Sequence, residues 1–216
     1  VIEQINKYNP LTFLDFHGFV KEFLIEPCTA PHDPNFEYDL LYKNMLAHAK
    51  AMGNAGISNS VYDSYLIPAL DWEDGWDDAF SGYTGVFVVY QGILGHAIEV
   101  PGMNDHSFFA GVFAGMGSID YVMNHRDQLF IDKLNIFLRG INKEENPETE
   151  KYFVDSKGNV VGRIKGDNPK FFPDYYVIPM SLEDQKNPQA AFDMIEYFRR
   201  NGVIVSQLTE NVGQYK

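Results

Sequence analysis

His17 follows the apolar run Leu11-Thr12-Phe13-Leu14-Asp15-Phe16 and precedes Gly18. A histidine at the carboxyl end of a buried strand stands where open α/β sheets place their ligands. Neutral imidazole binds zinc well. Asp15 is close enough in sequence to hold the far side of that ring, as carboxylates do behind metal-bound histidines. The plainer reading is a histidine bonded to a loop carbonyl. Glu99, in Gly95-His96-Ala97-Ile98-Glu99-Val100-Pro101, is the second candidate. A carboxylate in an apolar strand is costly to bury unless it is paired or used. Its use would be as a general base that activates a metal-bound water. A strand-end glutamate facing solvent or an arginine accounts for it equally well. His96 and Glu99 also spell His-x-x-Glu, but on a strand positions i and i+3 point to opposite faces. Joint ligation is therefore not expected, and His96 reads as a groove-lining or core residue.

Other candidates carry less signal. His32, in Pro31-His32-Asp33-Pro34-Asn35, either lines the site or is solvated in its loop. Tyr83 precedes Glu99 and could serve as a hydrogen-bond donor to substrate, although the chain has thirteen tyrosines. His48 reads as a helix-surface residue, and His106 and His125 fall at helix ends. Trp72 and Trp76 stand among Asp71, Glu73, Asp74, Asp77 and Asp78. That stretch reads as a groove wall or calcium-like loop, or more plainly as an acidic surface loop anchored by its aromatics.

The elements that must position these residues follow from pattern. Leu11 to Phe16 reads as a buried strand ended by His17-Gly18, and residues 19–36 as a long ordered loop. Glu37 to Met52 has helical spacing, with Leu41, Met45 and Met52 near one face. Residues 53–82 look irregular, and Gly85 to Tyr90 fits helix or strand. His96 to Val100 reads as a strand stopped by Pro101-Gly102. Asn104 and Asp105 are good helix caps. One helix is expected to about Asn124, and a second from about Asp127 with Phe130, Leu134, Phe137 and Ile141 on one stripe. A charged linker covers Asn142 to Glu150. Asp155-Ser156-Lys157-Gly158-Asn159 signals a hairpin within Tyr152 to Ile164. Tyr175 to Met180 and Val203 to Val205 read as strands flanking a helix over Gln189 to Asn201, with Ala191, Met194, Ile195 and Phe198 inward and Gly202 ending it. That is a βαβ-like extension.

Composition bounds the class. The chain has 216 residues, 45% hydrophobic, 22% charged and 15% aromatic, which is globular with a large core or a shaped groove. A net charge of −13 argues against nucleic acid and anionic membranes as partners. Cys28 is the only cysteine, so neither an intrachain disulfide nor a cysteine-based zinc site can form. No apolar run reaches transmembrane length and no signal peptide is visible. The first residue is Val1 rather than Met, so a processed or engineered start is expected.

Three stretches together resemble the M14 zinc carboxypeptidases, especially the large bacterial members: Leu14 to Gly18, Leu24 to Asn35 and Gly95 to Pro101. The likeness spans roughly residues 8–140, and Tyr176-Val177-Ile178-Pro179 is similar to the segment after the peptidase domain in those proteins. The resemblance implies a mixed-sheet α/β zinc-exopeptidase fold over residues 1–145 and an appended α/β segment over 146–216. It implies His17 as a zinc ligand, Glu99 as the catalytic glutamate, and Tyr83 in substrate binding. The family's early His-x-x-Glu has no counterpart, because no histidine precedes His17, and no arginine precedes Arg126 to hold a substrate carboxylate. One histidine cannot hold a catalytic zinc, which needs three protein ligands. The expectation is the later portion of a metallocarboxypeptidase domain, inactive alone, with a peptide substrate. A zinc deacylase or amidase of the same superfamily and a non-catalytic peptide- or glycan-binding module are the alternatives. Secretion is the compartment that the resemblance and the acidic charge favour.

Overall fold

Residues 1–19, 21–71, 76–80 and 82–209 are described by the structure, a computed structural model. In chain order the elements are α1 (Ile2–Tyr8), β1 (Thr12–Phe19), β2 (Leu24–Ile25), α2 (Tyr38–Ser58), α3 (Pro68–Asp71), α4 (Thr84–Phe87) continued by a 3-10 turn (Val88–Gln91), β3 (Leu94–Pro101), α5 (Asp105–Asn142), α6 (Pro147–Glu150) and α7 (Pro188–Arg200). Contacts divide them into two units, residues 10–173 and residues 1–9 with those from Asp174 on.

The larger unit is mixed α/β and is built on a three-stranded sheet in the order β1-β3-β2. β1 runs parallel to β3, in a register that sets Leu14 opposite His96, Asp15 opposite Ala97 and His17 opposite Glu99. β1 extends through His17 and Gly18 to Phe19 rather than stopping at them, because β3 offers a full-length ladder. β2 is a two-residue strand inside the stretch expected to be loop, and it pairs antiparallel with β3 (Leu24↔Glu99, Ile25↔Ile98). Glu99 thus lies on the central strand. Among the described residues no strand pairs with the other edge of β1.

Small residues let the helices close on this sheet. A Cβ on Gly95 would lie 1.8 Å from the Gly85 carbonyl oxygen, so the α4 backbone rests directly on β3. A Cβ on Gly117 would stand 2.7 Å from Ala55 Cβ, and the α2–α5 crossing depends on that close approach. Ala49, Ala110 and Ala114 complete it, beside Phe23, Ile25, Met52, Ile67 and Ile98 in one core cluster. α2 continues to Ser58, beyond Met52, because its glycines are used: the rings of Tyr65 and Phe23 occupy the space a Cβ would need on Gly53 and Gly56.

α5 is one helix of 38 residues, not two. No proline or glycine interrupts 118–139, so nothing breaks the ladder at Asn124–Asp127. Asn104 caps it, accepting from the backbone N–H groups of His106 and Ser107, while Ser107 Oγ accepts from Asn104 N–H at 3.0 Å. Its far end is tied to the start of α2. Arg139 donates to Asp39 through both Nη atoms (2.7 and 2.8 Å) and to Glu37 (2.9 Å), and Arg163 donates to Glu37 (2.7 Å). Residues 146–173 cluster with the larger unit through these contacts. The expected hairpin is a tight turn closed by the single bridge Val154↔Val160, with the Asp155 carboxylate accepting from Lys157 N–H and Asn159 N–H.

In the smaller unit Asn187 caps α7 by accepting from Ala190 N–H, and Asn6 Nδ2 donates to the Arg200 carbonyl at 3.0 Å. Ala191 is buried, but Met194 is exposed. The strands expected at 175–180 and 203–205 do not form, since no neighbouring strand offers them a ladder, and the βαβ-like extension is therefore absent. No helix among the described residues is long and apolar enough to cross a membrane.

Gly95→Ala forces backbone against backbone and should destabilise the protein by about 2 kcal/mol or more. Gly140→Ala, on a helical residue with nothing within 4 Å of the added carbon, should stabilise it by up to about 1 kcal/mol. Urea-unfolding midpoints of the two variants check both signs.

Candidate functional site

β-strand alternation and the ladder register put the side chains of Asp15, His17 and Glu99 on one face. His17 Nε2 lies 3.2 Å from Asp15 Oδ2. The Asp15 hydrogen bond raises the imidazole pKa, and burial offsets part of that rise. Glu99 and Glu26 add a smaller electrostatic pull in the same direction. Asp15 holds the Nε2 side, and Nδ1 makes no hydrogen bond with the described residues, which is how a metal-binding imidazole is oriented. Glu99 Oε2 is buried without a hydrogen-bond partner among the described residues. Burial raises the Glu99 pKa, His17 pulls it back and Asp15 raises it again. A carboxylate with a raised pKa and a vacant lone pair is suited to accept a proton from a water.

A second group of ionisable residues packs beneath. Glu26 Oε2 accepts from Ala97 N–H at 2.8 Å, and Cys28 Sγ donates to Oε1 at 3.2 Å. Tyr83 Oη lies 3.3 Å from that sulfur. Burial pushes the Glu26 carboxyl up to about 7. Asp78 receives the Tyr38 hydroxyl and lies 2.9 Å from His32 Nδ1. On the other face of β3, His96 Nδ1 is 2.6 Å from the Glu26 carbonyl oxygen and its Nε2 is 3.1 Å from His48 Nδ1. His48 Nε2 reaches Ser118 Oγ at 2.7 Å. Burial lowers both histidines, His48 to about 2 and His96 to about 4, so both are neutral at pH 7.

The structure therefore pairs His17 with Glu99 and takes the other candidates elsewhere. Tyr83 is engaged with Cys28 and Glu26. His32 is bonded to Asp78 and stacked on Tyr38 at 3.9 Å between ring centroids. His96 is fully buried. His48, expected on the helix surface, is also fully buried, because α5 covers that side of α2. Of the acidic stretch, Trp72, Glu73 and Asp74 lie outside the described residues. Asp71 caps the Ile67 N–H, and Asp78 belongs to the His32 cluster. Glu26 was not singled out from sequence. The signal was available, since it is a carboxylate inside the apolar run Phe23-Leu24-Ile25-Glu26-Pro27-Cys28, as Glu99 is in its own strand.

His17 suits a zinc ion as one ligand, but among the described residues no group of three or more His, Cys, Asp or Glu side chains could hold a metal. Comparison of the chain with protein families, with curated proteins and with solved structures finds no match.

Glu26 ionises near 4.5 when unfolded and near 7 when folded. Folding takes up a proton between those values, so this residue's contribution is complete below pH 4.5 and lost as the pH rises to 7, by roughly 3 kcal/mol. His48 and His96 act in the opposite sense, losing their contribution as the pH falls below 6.5. Comparison with Glu26→Gln isolates the carboxyl. Between about pH 5 and 7.5 the variant should gain roughly 2–3 kcal/mol relative to wild type in urea unfolding. A difference that does not change with pH contradicts the assignment.

Proposed function

We propose that the larger unit carries the later part of a zinc-dependent metallocarboxypeptidase centre, with His17 as a zinc ligand and Glu99 as the general base and acid. One observation carries the reading. Two residues separated by 82 positions, each selected for its chemistry, are direct partners across the β1–β3 ladder. The Asp15 carboxylate behind His17 and the unsatisfied Glu99 Oε2 support it. Zinc, when bound, polarises a scissile carbonyl and acidifies a water. Glu99 receives the proton of that water and returns it to the departing amine, leaving the carboxylate as it began. Asp15 fixes the His17 ring from its Nε2 side, which would leave Nδ1 to a metal and favour the charge that ligation places on the ring. The substrate is a peptide cut at its carboxyl-terminal bond.

A catalytic zinc requires three protein ligands. The remaining ligands would come from polypeptide other than these residues, and the edge of β1 beside His17, which no strand among the described residues pairs with, is the side from which a further strand could bring them. The 216-residue chain should accordingly hold far less than one equivalent of zinc and release no carboxyl-terminal residues from peptides. Equimolar zinc by elemental analysis, abolished by His17→Ala, would contradict this. Where the missing ligands are present, Glu99→Gln should retain zinc and lower kcat about 10²–10⁴-fold. An unchanged rate would rule out the role given to Glu99.

A further inference from the structure

α5 is inverted relative to an ordinary surface helix. It turns Ser107, Ala110, Ala114 and Ser118 toward its own core. Outward it presents Phe109, Met116, Met123, Phe130 and Phe137, exposed by 50, 57, 60, 53 and 38%. These five stand seven residues apart without exception, the repeat of a helix that packs along another helix. A monomer rarely exposes such a stripe.

We propose that this stripe is the interface of an antiparallel two-fold dimer in which α5 packs on α5 of a second copy, with Met123 at the axis. The pattern is its own complement. Residues equidistant from Met123 are apolar together: Met116 with Phe130 at seven, Val112 with Leu134 at eleven, Phe109 with Phe137 at fourteen. A two-fold axis brings the members of each such couple into one layer across the seam, while Met123 meets itself, as an isologous contact requires. All seven side chains are exposed in the single chain. With their neighbours Phe108, Leu138 and Ile141 they offer roughly 1,000 Å² per copy, at roughly 100 Å² each. A stable complex needs about 800 Å² per partner. Two couples break the pattern: Ile119 stands as far from Met123 as Asp127 does, and Ile141 as far as Asp105. The dimer does not rest on the peptidase reading, since α5 lies outside the His17–Glu99 pair.

Cysteine crosslinking of the whole chain tests the register. Cys28, the native cysteine, is buried. Met123→Cys should give a disulfide-linked dimer on mild oxidation. Val112→Cys should not, because the axis sets Val112 about 33 Å from its own mate at 1.5 Å per residue. Sedimentation velocity should show a dimer at micromolar concentration. Met123→Lys, which sets two like charges together, should give a monomer, and Asp127→Leu should tighten the dimer about tenfold or more by completing the Ile119 layer. A monomer at every concentration, open-ended larger species, or crosslinking at 112 as efficient as at 123 would overturn the proposal and leave the stripe to another occupant.

Discussion

The parallel ladder between β1 and β3 is the constraint on which the site depends. Side chains alternate along a strand, so a slip of one residue would send His17 to the other face and separate it from Glu99. The register is held by packing rather than by the polar pair. Gly95 admits the α4 backbone and nothing larger, and Ile98 is buried between the sheet and its helices. β2 pins the other side of β3 by pairing Leu24 with Glu99. Glu99 thus sits on a strand paired from two sides, with His17 beside it on β1.

Beneath the ladder, a group of polar side chains is buried with no lysine or arginine among the described residues bonded to it. Cys28 is hydrogen-bonded to Glu26 and Tyr83, and Asp78 to Tyr38 and His32. Burial moves the pKa values of Glu26, Cys28, Tyr38 and Tyr83 upward, and Glu26 retains its proton to about pH 7. The same logic keeps His48 and His96 neutral between Ser118 and the Glu26 carbonyl. Arg139 and Arg163 on Glu37 and Asp39 serve a different purpose: they fasten the end of α5 and the 146–163 stretch to the start of α2.

The candidate site was partly legible in the sequence, because the two residues proposed for it carry local signals. His17 ends an apolar run and Glu99 interrupts one, and both signals survive without any knowledge of the fold. Strand alternation alone separated His96 from Glu99. Asn104 announced the start of α5, but its length was hidden, since His125-Arg126-Asp127 look like a boundary although nothing in them breaks a helix. His48 read as surface because its burial comes from α5, 70 positions away at Ser118. The strands expected at 175–180 and 203–205 fail for the complementary reason. β-propensity is a local quantity, whereas a strand exists only where a partner supplies a ladder.

The central claim is that side chains at 17 and 99 converge on one ligand position. Replacing Glu99 with histidine turns that claim into a measurable affinity, because two imidazoles on one face of adjacent strands chelate Cu²⁺ where one binds weakly. Calorimetric titration of Glu99→His with Cu²⁺ should show binding at least about tenfold tighter than wild type, lost again when His17 is changed to alanine. Equal affinity in the wild-type and Glu99→His chains would mean that the two side chains diverge, and the proposed centre would fall with them.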